Sequence, residues 1–211
     1  MRPAHRTRLV LVRHGQTDHN REGRLQGQVD IPLNENGRRQ AESLARAVAA
    51  SPPDVIVSSP LSRARDTAGA IARACGLQVT TDEAFLERSF GRWEGLRGED
   101  IRSRWPSEHA DWRAHRPITG LDIEDRPEVG ERVAAGCRRL LEENPERTVM
   151  VVAHGAAITL GITALLGLDM RGFRGIAGLE NCHRSVLELL QAEPAEGLMR
   201  LLSHNLPPDF T

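Results

Sequence analysis

The sequence predicts an α/β fold in three layers, in which a doubly wound, mostly parallel sheet has helices on both faces and carries a small helical cap insertion. Residues 9–12 (LVLV) and Thr148–Ala153 (TVMVVA) are short apolar runs of the kind found in strands buried on both faces. Segments with the apolar spacing of amphipathic helices alternate with such runs along the chain. This alternation is typical of a parallel sheet whose strands are connected by helices.

Two helices in the first third of the chain are predicted from apolar spacing and end signals. The first covers residues 35–50, where Asn34 is the expected N-cap and one apolar stripe runs along the helix. The next strand is expected over residues 54–57. A second helix, for which Ser59 is the expected N-cap, should end just before Gly76.

The rest of the chain predicts shorter strands, a broken polar segment and two further helices. Residues 90–126 are mostly polar, are interrupted by Gly and Pro, and carry all three tryptophans, so we expect a cap of short helices over one face. The other predicted elements are a strand at 77–80, helices at 127–143 and 156–166, and paired edge strands at 185–190 and 198–202.

Length, charge and cysteine content narrow the class of protein. The 211 residues suit a single domain, expected over 1–211 with the cap at about 90–126. With 28 basic and 29 acidic residues the net charge is −1, which gives no general affinity for nucleic acid or an anionic membrane. No apolar stretch reaches the ~18 residues of a membrane span. The three cysteines form no CxxC pair, so we expect free thiols and a cytoplasmic location.

Two predicted strands end in the same way, with a histidine followed by a glycine. Residues 9–12 run into Arg13-His14-Gly15, and the strand ending at Ala153 runs into His154-Gly155. In open α/β sheets, sites form beyond the carboxyl ends of the strands. A single histidine at such a position is usually structural, but two corners of this kind, one with an adjacent arginine, predict a site if the strands are neighbours.

Two further segments supply an anion-binding group and a carboxyl group. Arg63 lies near the start of the second predicted helix, where free N–H groups and the helix dipole favour anions, and its planar guanidinium suits a phosphoryl group. Glu87 lies between apolar and aromatic neighbours, which favours the protonated form that a general acid requires. Alone, Arg63 would be interpreted as a surface arginine and Glu87 as an ion-pair partner.

Taken together, these segments resemble the histidine phosphatase superfamily, in its phosphoglycerate-mutase-like branch. The resemblance covers residues 8–190, and its motifs occur in the family's order and spacing. They are LVRHGQTDHN at 11–20, Leu25-Gln26-Gly27 with Asp30 and Pro32-Leu33, SSPLSRARDTA at 58–68, LERSFGRWEG at 86–95 and VVAHG at 151–155.

The resemblance implies a role for each candidate residue. His14 is implied as the nucleophile that becomes phosphorylated and Glu87 as the proton donor; the residues alone do not say which histidine attacks. The phosphate and substrate contacts that the family implies are Arg13, Asn20, Gln26, Arg63, His154 and Gly155.

The implied mechanism needs no metal and no cofactor, because arginines neutralise the charge of the transferred phosphoryl group. The attacking nitrogen of His14 must be unprotonated, so its other ring nitrogen should donate a hydrogen bond, and we expect the acceptor to be backbone. One segment departs from the family. Where relatives often carry Gly-Gly-Glu-Ser, this chain has residues 122–125 (DIED), so Glu124 is left outside the predicted site.

The predicted activity is hydrolysis of a small phosphate monoester of the sugar, glycerate or nucleoside type. The alternative in the same family is a 2,3-bisphosphoglycerate-dependent phosphoglycerate mutase. Mutases typically have a longer insertion after the Glu87 motif and read ERHYG there, whereas residues 87–91 read ERSFG. A non-catalytic phospho-ligand binder would be expected to lack a catalytic residue, and none is missing. Relatives are often dimers, so a homodimer is one assembly that the resemblance allows.

Overall fold

A computed structural model describes residues 7–190 and 199–208, and in these residues six strands form one sheet. The strands are β1 Arg8–Arg13, β2 Val55–Ser58, β3 Val79–Thr81, β4 Thr148–Ala153, β5 Arg184–Leu189 and β6 Met199–Leu206. Their order across the sheet is β3-β2-β4-β1-β5-β6. The pairs β3-β2, β2-β4 and β4-β1 are parallel, and β1-β5 and β5-β6 are antiparallel. The predicted α/β fold with a mostly parallel sheet is therefore confirmed.

The helices of the described residues cover both faces of the sheet. They are α1 Asp18–Glu22, α2 Glu35–Ala49, α3 Ser62–Cys75, α4 Gly98–Arg104, α5 Pro106–Arg113, α6 Arg126–Glu143 and α7 Gly155–Leu165. Successive residues of β1 alternate between two cores: Leu9 packs with α6 and α7, whereas Val10 packs with α2 and α3. Burial on both faces explains why β1 and β4 are apolar throughout.

The last two strands pair with each other as predicted, but of these two only β6 is an edge strand. β5 also pairs with β1, from Arg8 opposite Glu188 to Val12 opposite Arg184, so it lies inside the sheet. The prediction of two edge strands was therefore wrong for β5. Leu198, at which the last strand was expected to begin, lies outside the described residues.

The start of α3 differs from the prediction. α2 has the expected N-cap, since the Asn34 side chain accepts a hydrogen bond from the Gly37 amide at 2.8 Å. α3 instead begins at Ser62 with Leu61 as its N-cap, and no side chain caps it. The predicted cap, Ser59, has its hydroxyl 2.7 Å from Nε2 of His154. A contact made across the sheet thus replaces the local one that the sequence predicted.

The cap segment, residues 90–126, consists of a 3₁₀ turn at Gly91–Trp93 followed by α4 and α5. Trp93 is fully buried and meets the edge of Trp112 at 5.9 Å between ring centroids. Phe90, Ile101 and Leu121 complete this small core. The tryptophans therefore form the cap's own packing. Among the described residues, no helix has the length and apolarity needed to cross a membrane.

Candidate active site

The two histidine–glycine corners meet because their strands are neighbours. Arg13 of β1 is paired with Ala153 of β4, and the amide of His14 donates to the carbonyl of Ala153 at 3.0 Å. His14 and His154 therefore follow paired positions, and their ring centroids are 5.2 Å apart. Both side chains are buried. The two corners therefore lie side by side at one edge of the sheet.

His14 is held in one orientation by its own loop. Its Nδ1 lies 2.7 Å from the carbonyl oxygen of Gly15, which can only accept, so Nδ1 carries the proton and Nε2 does not. The predicted backbone acceptor is thus present. Burial, followed by the charges of Arg63 and Arg13, lowers the pKa of His14 well below its usual range. The imidazole is therefore neutral at pH 7.

Glycine is required after His14 because the chain passes very close to α2. A Cβ at Gly15 would lie 2.5 Å from the carbonyl oxygen of Gly37, a backbone atom that cannot move aside cheaply. The amide of Gly15 donates to Thr67 Oγ1 of α3 at 3.0 Å. The loop that carries His14 is thus fixed against both helices on this face of the sheet.

Arg63 lies in the first turn of α3 and is completely buried. Its Nη1 donates to the Val29 carbonyl at 2.8 Å and its Nη2 to the Gly27 carbonyl at 2.7 Å. Its Nε is buried and has no hydrogen-bond partner. The guanidinium therefore anchors the loop at residues 27–29 and retains unpaired N–H groups, that of Nε among them, for a ligand.

Arg13 completes the positive side of the site. Its Nη1 donates to the carbonyl of Leu179, and its Nε, like Nδ1 of His154, is buried without a hydrogen-bond partner. Burial lowers the pKa of Arg13, although the negative charge of Glu87 acts in the opposite direction. Two arginine N–H groups and one imidazole nitrogen beside His14 are suited to the oxygens of a phosphoryl group.

Asn20 and Gln26 are linked to the His14 loop through Thr17. Asn20 forms a capping box with Thr17 at the start of α1, and the Thr17 hydroxyl donates to Gln26 Oε1 at 2.8 Å. Asn181 donates both to the His14 carbonyl at 2.9 Å and to Asn20 Oδ1 at 3.2 Å. In the described part of the chain, the NH₂ groups of Asn20 and Gln26 have no protein partner and so remain free to donate.

Glu87 is placed by the first turn of α7. Its Oε1 accepts from the Ala157 amide at 2.9 Å and from the Arg88 amide at 2.9 Å, and its Oε2 accepts from the Ala156 amide at 3.2 Å. The apolar surroundings expected from the sequence are therefore replaced by backbone donors. Since α7 begins at Gly155, directly after His154, these contacts bring Glu87 to the two histidines.

Glu124, which the sequence left outside the site, braces the Glu87 loop. Its carboxylate forms a two-point ion pair with Arg132 Nη2, at 2.9 and 3.1 Å, and accepts from the Ser89 amide at 3.1 Å. Arg132 Nη1 donates in turn to the carbonyls of Ala84 and Leu86, at 3.0 and 3.1 Å. Glu124 therefore positions the residues on both sides of Glu87.

Glu94 links the two loops that carry the remaining site groups. Its Oε1 accepts from the Phe90 amide at 3.0 Å and from the Gln28 amide at 3.1 Å, while the Gln28 side chain donates to the Glu87 carbonyl. Sequence reasoning missed Glu94, Glu124, Ser59, Thr17 and Asn181 as site-supporting residues. Apart from Ser59, which follows β2 and was interpreted as an N-cap, none of them follows a buried strand, so no local pattern marks them.

No three His, Cys, Asp or Glu side chains of residues 7–190 and 199–208 are grouped as metal ligands. The groups that converge on His14 are instead cationic or amide donors. Neutral imidazole, arginine N–H groups and a carboxyl group are the components required to transfer a phosphoryl group to nitrogen and protonate a leaving oxygen.

Comparison with known proteins agrees with this chemistry. Residues 9–200 match the family model of the histidine phosphatase superfamily (branch 1). A glucosyl-3-phosphoglycerate phosphatase of Mycobacterium tuberculosis (strain CDC 1551 / Oshkosh) is 38% identical over 182 residues, 82% of each chain. Phosphoserine phosphatase 1 of Hydrogenobacter thermophilus is 33% identical over 184 residues, 86% of each chain.

A solved structure is similar throughout. The mycobacterial glucosyl-3-phosphoglycerate phosphatase in complex with VO3 superposes with a TM-score of 0.86 at 34% identity, covering 94% of this chain and 98% of that one. All three of these relatives are named phosphatases. Hydrolysis is therefore favoured over the mutase alternative.

Proposed function

The chain belongs to the histidine phosphatase superfamily and is a phosphoric monoester hydrolase, and on that premise we propose that it works through a phosphohistidine on His14. The observation that carries the proposal is the state of this side chain. His14 is buried and neutral, its Nδ1 proton is committed to the Gly15 carbonyl, and it lies in the field of Arg13 and Arg63. Its free Nε2 is the nucleophile.

In the first step, Nε2 of His14 attacks phosphorus and the bond from phosphorus to the ester oxygen breaks. Arg13 and Arg63 bind the other phosphoryl oxygens and neutralise the charge that develops on them. Glu87, as the general acid of this step, gives a proton to the departing alkoxide.

In the second step, water attacks the phosphohistidine and the bond from phosphorus to nitrogen breaks. Glu87, now ionised, accepts a proton from that water, which regenerates the acid for the next cycle. Asn20, Gln26, His154 and Gly155 contact the phosphoryl group or the substrate in both steps. The free NH₂ groups of the two amides and the unpartnered Nδ1 of His154 support this assignment.

The hydrolysis is proposed to be independent of metal. The support is the pair of arginines beside His14, of which Arg63 is buried and Arg13 partly buried, because their charges meet the demand that a metal ion meets in other phosphatases. Activity on p-nitrophenyl phosphate should survive dialysis against EDTA. Complete loss of activity, restored by a divalent ion, would contradict this part of the proposal.

The substrate is proposed to be a small phosphorylated metabolite. The relatives named above are phosphatases of glucosyl-3-phosphoglycerate and phosphoserine, both of which are compact phosphate monoesters. Hydrolysis of a panel of sugar, glycerate, amino acid and nucleoside monophosphates, compared by kcat/KM, identifies the preferred class. If no member is hydrolysed faster than p-nitrophenyl phosphate, the substrate is not of this kind.

We place the enzyme in the cytoplasm, with no nucleic-acid partner and with a homodimer as the assembly to be tested. The free thiols support the location, since Cys137 and Cys182 are buried and burial raises the pKa of each to about 12. Cell fractionation tests the location. Light scattering of the purified protein measures the assembly.

A further inference from the structure

A basic cleft lies between the cap segment and α7, away from the residues that the mechanism uses. It consists of two adjoining cavities of about 250 and 340 Å³ that share His115, Arg126 and Arg174 in their walls. The smaller cavity is also lined by Thr159 and Thr163 of α7. Spaces of this size hold small ligands or part of a larger one.

The two arginines of the basic cleft are fixed without being neutralised. Arg126 Nε donates to the Met170 carbonyl at 2.9 Å, and Arg174 Nη2 donates to the Ala114 carbonyl at 3.1 Å. Among the residues that the structure describes, no carboxylate forms a salt bridge with either guanidinium. The nearest acidic side chain in sequence, that of Asp125, is paired with Arg171. The remaining N–H groups of both arginines are thus open to a ligand.

His115 adds a polar atom that also lacks a partner. Its backbone is in the left-handed region, with φ of 60°, which is uncommon outside glycine and is often found at functional positions. Its Nδ1 is buried and accepts or donates no hydrogen bond. Burial, then the charges of Arg126 and Arg174, lowers the pKa of this imidazole. An anion in the cleft would relieve the repulsion between the arginines.

The basic cleft lies along the helix that holds Glu87. Ala156, whose amide contacts Glu87, shares one face of α7 with Thr159 and Thr163, because these residues are three and seven positions apart. Along the helix axis they follow Ala156 by about 4.5 and about 10.5 Å. Burial, followed by the positive charge of Arg126, lowers the pKa of Arg88, the neighbour of Glu87, to about 10. The cleft therefore adjoins the same helix whose first turn holds Glu87.

We propose that Arg126, Arg174 and His115 form a second anion-binding site, selective for a small oxyanion such as a carboxylate or phosphate. The two guanidinium groups supply the charged donors, and the His115 ring lines both cavities beside them. The hydroxyls of Thr159 and Thr163 already donate to the carbonyls of Gly155 and Thr159, so they line the cavity without donating to the anion. The anion is either a remote charged group of the substrate or a free ion. Binding of a remote substrate group rests on the proposed function, whereas binding of a free ion does not.

The first arm of the test compares two substrates that differ in a remote carboxylate, 3-phosphoglycerate and glycerol phosphate. The Arg126→Met/Arg174→Met variant should lower kcat/KM for 3-phosphoglycerate by ~10–100-fold, the loss expected for charge-assisted hydrogen bonds, and leave glycerol phosphate within about 2-fold. The matched control is Arg102→Met, an exposed arginine of the cap that lines neither cavity. Circular dichroism and the melting temperature check that the double variant folds.

The second arm tests a free ion. Inorganic phosphate is titrated by calorimetry into enzyme whose phosphoryl pocket has been saturated with vanadate, and the native protein and Arg102→Met should each show one binding step that the double variant lacks. A change in either arm identifies the source of the anion. If the double variant keeps both the preference for 3-phosphoglycerate and every phosphate step of the native protein, the second site does not exist. Absence of all hydrolysis by the native protein would instead contradict the proposed function. The calorimetric measurement would still test the second site, because it measures phosphate binding and not hydrolysis.

Discussion

The two halves of the site are held by different kinds of structure. In the strand-end half, Arg13 is the last residue of β1, and His14 and His154 directly follow β1 and β4, so the backbone register of the sheet fixes all three. Glu87 lies on an irregular loop, and its position depends on side chains from the cap segment and α6. The strand-end half, Arg13, His14 and His154, is therefore positioned by cooperative backbone pairing. The loop half, Glu87 and its supporting residues, depends on a few polar contacts that can be removed one at a time.

This difference separates binding from proton transfer. Substitutions in the strand-end half should affect every substrate, because all phosphate monoesters present the same group to His14 and its arginines. Substitutions in the loop half should affect substrates in proportion to how much their leaving group needs a proton.

Replacing Arg63 with Met should cause the largest loss. The variant removes a buried charge that stabilises the transferring group, so kcat/KM should fall by ~10³–10⁵-fold for alkyl and aryl phosphates alike. Because Arg63 also lowers the pKa of His14, the acid limb of the pH–rate profile should move to higher pH. Arg65→Met, an exposed position of the same helix, is the control. An unchanged acid limb would show that Arg63 does not act on His14.

Glu87→Gln should discriminate between leaving groups. Proton donation contributes ~10²–10⁴-fold to rate, and this factor should be lost for an alkyl phosphate but largely retained in the phosphorylation step with p-nitrophenyl phosphate. Burst amplitude is the quantity to compare, since Glu87 also serves as the base in the second step. Glu83→Gln, an exposed residue of the same segment, serves as control. Equal losses for both leaving groups in phosphorylation mean that Glu87 only positions the substrate.

Arg132→Met should reproduce the Glu87 pattern in weaker form. The substitution removes the ion pair with Glu124 and two hydrogen bonds to the loop before Glu87, so alkyl phosphate turnover should fall by about 10-fold while the aryl burst is kept. Arg138→Met, on the same helix with only a 4.0 Å contact to Glu131, is the control. An equal loss for both substrates would show that Arg132 affects the stability of the whole protein and not the position of Glu87.

The buried histidines should make the free energy of unfolding depend on pH. The folded pKa values of His14 and His154 lie below the usual range, so the unfolded chain takes up protons first as pH falls. Stability should therefore decrease below about pH 6.5, by at most ~1.4 kcal/mol per pH unit for each histidine. Urea unfolding between pH 7 and pH 5 measures this slope. The double variant His14→Asn/His154→Asn should flatten it, and an equal slope in both proteins would contradict the assignment.

The sequence predicts the strand-end half well because its signals are local. The apolar runs at 9–12 and Thr148–Ala153 lead directly into the histidine–glycine corners, and the pairing of the two strands brings these corners together. Ser59 shows the limit of local signals, since an N-cap pattern is overridden by a contact with His154, 95 positions away. The edge prediction for β5 failed for a similar reason, because weak alternation does not reveal pairing with β1 on its other side.

The loop half could not be predicted because its contacts join distant segments through side chains. Residues 122–125 (DIED) lack the Gly-Gly-Glu-Ser pattern that the family resemblance led us to expect, so the sequence did not predict the path of this segment. Asp122 adopts the left-handed conformation there, with φ of 57°, which Asp tolerates better than most residues. This turn places Glu124 against Arg132, and neither residue carries a motif of its own.

The most direct test of the account is to locate the phosphoryl group on the enzyme during turnover. Enzyme quenched in the steady state with p-nitrophenyl phosphate should carry an acid-labile, base-stable phosphoryl group on His14, mapped by mass spectrometry of peptides kept at alkaline pH. His14→Ala should fold, as judged by circular dichroism, and lose both the label and turnover. A phosphoryl group on His154, or full turnover by His14→Ala, would contradict the assignment of His14 as the nucleophile.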